Sequence, residues 1–459
     1  MEKMFLTNSV NYIIGGSGNI FLPIFRPIFN FSLQNNMNFS NAFRVFKSRD
    51  YRLFFTGQLI SRIGMWMQRT AVIWVIYTMT NSVLMVGVAT FAEQFPSFLL
   101  SPAGGITADR YNRYKILMAT QIISALQAVL LTVSYVYGYH SVTILLLLSL
   151  MLGIANAYDI PARQAMVNDL VKSNDDLPAA IAMNSSLNNL TRLAGPALAG
   201  IVIANYGAAI CFGTNAVSFI AVIICLNMIH FPLYKAPLKR KKPWTDFKEG
   251  FYYMKKQPEI SKTLLLCSLV SFFVITYNTL QPYFAKSVFH GDAATYGYMN
   301  AAAGLGAFTS TLFIASQKKV SNLKTILFFN LLLLGTGLIV MSFVKILPVY
   351  IIFCFICGFG TMSIMPICNT IIQTVSLVEM RGRVIGFFAM ATLGTLPLGS
   401  LVIGWLSKYI SAQHCQLAQG ILCLIIVMFF YKFLKGEKKQ DPYDADLKIQ
   451  DKKDIILNP

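Results

Sequence analysis

The sequence predicts an all-α integral membrane protein, with twelve transmembrane helices in two pseudo-symmetric six-helix halves. Three observations predict it. Twelve apolar stretches, each long enough to cross a bilayer, run along the 459 residues. Nearly all the Lys and Arg between them fall in every second connection. Glycine and proline patterns in the first six stretches recur in the last six. Charged residues are 12% of the chain where a soluble domain has roughly 25%, and mean hydropathy is +0.57, so no soluble core is expected.

At 1.5 Å rise per residue, about 20 residues cover about 30 Å of hydrocarbon. The spans fall near 53–79, 83–108, 115–137, 142–160, 179–203, 208–230, 263–285, 294–315, 325–344, 348–372, 384–407 and 412–434. The organisation follows: an N-terminal extension over 1–41, a six-helix half over 42–230, a basic linker over 231–262, a second half over 263–434 and a charged tail over 435–459. Residues 10–30 are apolar but broken by Gly15, Gly16, Gly18, Pro23, Arg26 and Pro27, which suits neither a signal peptide nor a span. They read as a flexible cytoplasmic extension, or as sequence ahead of a true start at Met37; an intact mass beginning at Met1 excludes the second. The tail is expected to be solvated and poorly ordered.

Charge sets the orientation. The N-terminal approach, the even-numbered loops and the tail run from Arg44, Lys47, Arg49 and Arg52 through Arg110, Arg113 and Lys115, then Arg163 and Lys172, to the basic linker, Lys318, Lys319, Lys324, Arg381, Arg383 and the tail residues. They hold thirty basic residues against Lys286, Lys345 and Lys408 in the intervening loops. By the positive-inside rule both termini are cytoplasmic, in a bacterial inner membrane. The net charge of +19 is mostly this signature, so a nucleic-acid partner is not expected.

The repeat carries function. The fourth span ends GIANAYDIP from Gly153 to Pro161, and the tenth ends GFGTMSIMP from Gly358 to Pro366, an offset of 205. Gly195 and Gly200 of the fifth span match Gly399 and Gly404 of the eleventh at an offset of 204. Two parallel halves suit alternating access, in which one rocks against the other around a midplane site.

Charges at midplane each cost about 2.5–3.5 kcal/mol on insertion scales and mark function. Four are expected there: Arg62 and Arg69 in span one, Glu93 in span two and Arg192 in span five. Arg62 and Arg69 share a helix face with Gln58, and Asn184, Asn188 and Arg192 form a second polar stripe at spacings of four. Two such stripes imply a watery, positive cavity for an anionic or oxygen-rich solute, since Arg pairs bidentately with carboxylates or catecholates and keeps its proton. Glu93, as the carboxylate expected at midplane, is the candidate for the coupling proton; the alternative is a static Glu93–Arg pair that locks helices together. Arg62 is also read as a gate residue.

Other chemistry is not expected. There is no Walker A, HExxH or GxSxG pattern, so neither an ATP-driven pump nor a hydrolase is predicted, and the chain is not read as an enzyme. No metal site is expected: His140, His230, His290 and His414 sit at span edges, and Cys354 and Cys357 read as small buried hydrophobes.

The loop GGITADRYNRYK places Gly105, Asp109, Arg110, Arg113 and Lys115 in a G-x-x-x-D-R-x-x-R pattern that resembles the signature of the major facilitator superfamily, with Tyr114 shifting the last basic residue by one. The blocks at 57–82, 159–171 and 184–200 are similar to the branch that includes the enterobactin exporter and related efflux proteins, over roughly residues 42–434. The resemblance implies a cytoplasmic gate latch at Gly105, Asp109, Arg110 and Arg113, with Asp109 held by the start of a later helix near Arg383 and by Arg163. The alternative is plain topological basicity. GPALAG resembles the Gly-Pro element of antiporters, with Gly195, Pro196 and Gly200 packing closely, though Ala199 replaces one glycine of the usual pair. The expectation is a monomeric, proton-coupled exporter of a siderophore or similar polar, anionic metabolite, with the bilayer and a small-molecule substrate as partners and no cofactor beyond the proton gradient. Macrolide-type efflux and a nontransporting receptor or scaffold are the alternatives.

Overall fold

The computed structural model describes residues 44–171, 176–229, 243–317, 323–377 and 380–435. The expected extension over 1–41, the tail beyond Lys435 and the 230–242 part of the linker lie outside the described residues. Every regular element among the described residues is helical. A 3-10 turn at Arg44–Lys47 leads into α1 (Arg49–Thr80), α2 (Val83–Arg110), α3 (Arg113–Val136), α4 (Val142–Leu170), α5 (Leu177–Tyr206) and α6 (Ala208–Asn227). Then come α7 (Pro243–Lys256), α8 (Pro258–Val288), α9 (Ala293–Ala315), α10 (Leu323–Phe343), α11 (Leu347–Val375), α12 (Arg381–Leu406), α13 (Ala412–Phe429) and the short α14 (Tyr431–Lys435).

Local chemistry sets the ends. Asn112 caps α3 by accepting from the amides of Tyr114 and Lys115, and Asp292 caps α9 by accepting from that of Thr295. Asn81 ends α1 in the left-handed region, at φ 48°, and Gly207 turns α5 into α6 at φ 83°. Inside α8, π turns at Val270–Val274 and Phe284–Val288 flank a 3-10 stretch at Ile275–Leu280, and α12 has a π turn at Met390–Gly394. Such departures from α geometry often mark functional segments.

Most ends fall within a few residues of expectation; α4 does not. It was expected to stop at 160 and runs through Pro161 to Leu170. Proline removes one backbone bond, but here the i,i+4 pair Asp159–Arg163 straddles the turn and holds it. The described part of the expected linker contains α7, whose Phe247 and Phe251 rings lie 5.0 and 6.2 Å from Phe387, and whose Glu249 pairs with Arg383 at 2.7 Å.

Among the described residues nine helices are long and apolar enough to cross a membrane: α2, α3, α4, α6, α8, α10, α11, α12 and α13. The other long helices, α1, α5 and α9, are diluted by Arg62, Arg69, Asn184, Asn188 and Arg192, or by the glycines, Asn300 and tyrosines of α9.

Packing divides into two sets. In the first, α2 lies on α4 and α1 and α3 on α6; in the second, α9 lies on α11 and α10 on α13. The sets meet through α5 with α9 and α2 with α12. The sequence repeat is realised as backbone contact. A Cβ on Gly153 would lie 2.3 Å from the Glu93 carbonyl oxygen, and one on Gly358 would lie 2.1 Å from that of Ala303. Only glycine allows α2–α4 and α9–α11 to approach so closely.

Candidate substrate cavity and gates

Where the two sets meet, seven helices leave a cavity of about 270 Å³. Arg69 and Trp66 reach it from α1, Arg192 and Pro196 from α5, Tyr277 and Asn278 from the 3-10 part of α8, and Tyr296 and Asn300 from α9. The three long helices with the most diluted apolar character are therefore all cavity walls. Arg69 pairs with Glu93 of α2, Nε to Oε2, at 3.3 Å. The side chain of Arg69, which lines the cavity, is 30% exposed and that of Glu93 15%. Arg192 directs Nη1 at the Met362 sulfur, 3.4 Å away. Both guanidiniums lie over the Trp66 ring, at 5.3 Å for Arg69 and 5.9 Å for Arg192.

The two expected polar stripes are split by depth. Arg69 and Arg192 line the cavity, whereas Gln58, Arg62, Asn184 and Asn188 form a separate layer nearer the basic end. There Arg62, 6% exposed, donates to the side-chain oxygens of Asn184, at 3.2 Å, and Asn188. Gln58 is buried and accepts from Arg163 at 3.0 Å. These four belong to a hydrogen-bonded polar network, buried at Gln58 and Arg62 and exposed at Asn188, and do not line the cavity, because residues seven apart share a face yet sit about 10 Å apart along the axis.

That network contains a carboxylate that the sequence reading missed. Asp159, 3% exposed, pairs with Arg163 and accepts from Thr120 at 3.1 Å and Gln121 at 2.8 Å. Glu93 is therefore not the sole carboxylate within the helices. Reading α4 as ending at 160 put Asp159 at the very end of the span, where a charge can reach solvent and calls for no partner. Arg163, expected beside Asp109, turns instead to Asp159 and Gln58.

At the end opposite the basic loops the sets are sealed. A Cβ on Gly200 would come within 2.7 Å of the Gly297 Cα, and one on Gly404 within 2.9 Å of the Leu84 Cα. Trp74 stacks on Tyr296 at 5.7 Å, Tyr77 and Ser287 share a hydroxyl hydrogen bond of 2.8 Å, and Lys286 donates to Asn81 Oδ1 at 2.8 Å. Sequence counted Lys286 only as a stray loop charge; the αL cap at Asn81 is what brings its partner within reach. Gly195 and Gly399 pack within the sets, against Trp66 and Phe272. A Gly297→Val protein is expected to loosen this end. The check is maleimide labelling, from that side, of a cysteine placed at Thr70; several-fold faster labelling is expected, and an unchanged rate means the contact does not hold the end shut.

The basic end differs. Three ion pairs of this end, Arg44–Asp176, Glu259–Lys324 and Glu249–Arg383, each stay within one set. Gly105, in the last turns of α2, and Gly382 and Gly386 of α12 face open space. Asp109 is half-buried at the end of α2, Arg110 is exposed, and Arg113 donates to the Ala108 carbonyl at 3.3 Å.

Apolar helices around a polar cavity, sealed at one end by glycine contacts, define a multi-pass membrane transporter. The chain belongs to the transmembrane secretion effector family of major facilitator transporters, whose model matches residues 40–453. It is similar to the staphyloferrin A transporter of Staphylococcus aureus, 26% identical over 382 residues that cover 83% of this chain and 95% of that protein. The Enterobactin exporter EntS of Salmonella typhimurium is 26% identical, covering 85% of this chain and 93% of that protein. The Macrolide efflux protein A of Streptococcus pyogenes is 22% identical, covering 81% and 93%. The fold is shared with a bacterial homologue of the human lysosomal transporter Spinster in an inward-facing, unoccupied conformation, at TM-score 0.63 and 15% identity over 83% of this chain and 96% of that one. It is shared too with a POT family transporter in complex with 5-aminolevulinic acid, at TM-score 0.67 and 12% identity over 85% and 97%. The family and the curated relatives are transporters, not enzymes.

Proposed function

We propose that the chain is a proton-coupled antiporter of the bacterial inner membrane that exports a siderophore or similar polar, anionic metabolite. In this reading α1–α6 and α8–α13 are twelve spans in two halves, the basic end and both termini are cytoplasmic, and the protein works as a monomer without a cofactor other than the proton gradient. The observation that carries it is the cavity itself. It has two arginines and no carboxylate among its lining residues, lies next to Glu93, and is sealed at the end away from the basic loops. The siderophore transporters among its relatives support the solute class. Asp109, Arg110 and Arg113 would close the basic end in the opposite conformation.

The test is to delete the gene, starve the cells of iron and measure chelator in cytoplasm and medium separately. Chelator trapped inside is the expected result; an unchanged partition argues against this solute. Macrolide-type efflux is the second reading, favoured by the relative of that type. Charge separates the two. Arg69→Ala is expected to abolish export of an anionic solute while sparing a neutral or cationic drug, and equal loss of both would argue against an electrostatic role for Arg69. Substrate-dependent proton movement in proteoliposomes separates either reading from a nontransporting receptor.

A further inference from the structure

The two cavity arginines are not equivalent. Arg69 has its counter-charge in Glu93. Among the described residues Arg192 has no carboxylate within ion-pair distance, and its polar contact is the Met362 sulfur, a weak acceptor. A guanidinium does not release its proton, and leaving it unpaired inside apolar helices is costly. The cavity therefore lacks one negative charge, at Arg192.

The aromatic groups narrow what can supply it. A planar catecholate ring gains most by stacking, yet of the lining aromatics Trp66 already carries both guanidiniums, Tyr296 stacks on Trp74 and Tyr277 is 2% exposed. What the wall leaves over is hydrogen-bonding capacity. Asn278 gives one amide N–H to the Ile275 carbonyl at 3.1 Å, which leaves its second N–H and Oδ1 free to meet a hydroxyl. At about 270 Å³ the space is at the small end of ligand pockets, which run from roughly 300 Å³ upward.

We infer that Arg192 is the anion-recognition residue of the cavity and that its ligand is an aliphatic hydroxycarboxylate, not a planar catecholate. The carboxylate pairs with the Arg192 guanidinium and the hydroxyl donates to Asn278 Oδ1. The inference rests on the export reading only for naming this ligand as cargo.

The probes are citrate, tricarballylate, which lacks the hydroxyl, and 2,3-dihydroxybenzoate, titrated calorimetrically into the full chain in nanodiscs. Citrate is expected to bind, tricarballylate several-fold more weakly, and dihydroxybenzoate neither to bind nor to compete. Arg192→Gln should weaken citrate at least tenfold, with Arg192→Lys recovering part of the loss; matching thermal melts show that both variants are folded. Asn278→Ala should erase the preference for citrate over tricarballylate. Dihydroxybenzoate binding as well as citrate, no binding by citrate, or citrate binding unchanged in Arg192→Gln each overturns the inference. Citrate binding alongside an unchanged chelator partition in the deletion strain overturns the export reading instead.

Discussion

Replacing Asp159 with alanine is expected to destabilise the first set of helices by about 3–5 kcal/mol, the range for removing one partner of a buried ion pair. The carboxylate is 3% exposed and sits among groups that all donate to it. Without it, Arg163 keeps its charge beside Gln58, Thr120 and Gln121 lose their acceptor, and the Pro161 turn loses the pair that spans it. Thermal unfolding in nanodiscs measures the loss. The double replacement Asp159→Ala with Arg163→Met should recover part of it, because no unpaired charge is then left inside the bundle. An unchanged melt in the single variant would mean that the pair is solvated.

The second large effect concerns coupling. Glu93→Gln is expected to leave solute binding in place and to stop uphill export. One charge moved through 100 mV supplies about 2.3 kcal/mol, enough for a gradient of several tens-fold, and without a titrating carboxylate the proton's contribution is lost and the solute can only run down its own electrochemical gradient. The measurement is solute accumulation and proton counter-movement in proteoliposomes under an imposed pH gradient. A proton-to-solute ratio equal to that of the unaltered protein would remove Glu93 from the mechanism and leave Glu93–Arg69 as a static helix tie.

Long-range patterning was legible in the chain because burial in a bilayer has a simple signature. Most of the long apolar helices, most of their ends and the Gly153–Gly358 repeat follow from apolar length and from residues small enough for backbone contact. The site was legible only in part. Spacing by seven or by four told which residues share a face, and Arg69 and Arg192 do meet at one cavity. It did not tell depth, so Arg62, Asn184 and Asn188 were grouped with a cavity that they do not line. The counter-charge of Arg163 depended on whether α4 survives Pro161, which is decided by tertiary partners on α1 and α3. The Lys286–Asn81 contact joins residues 205 apart through a left-handed cap, and no local pattern announces it.

The walls of the cavity also have a history in synthesis. The first described long helix to leave the ribosome, α1, is among the three whose polar residues make it a poor solute for lipid, and so are α5 and α9. Each is followed closely by a strongly apolar helix: α2 after two residues, α6 after Gly207 alone, and α10 after a short connection. Partitioning as helical hairpins lets the apolar partner carry its polar neighbour into the membrane. A change that makes α1 more polar, even one that the finished cavity would accommodate, should therefore be felt first as a lower yield of membrane-integrated chain, before any transport is measured.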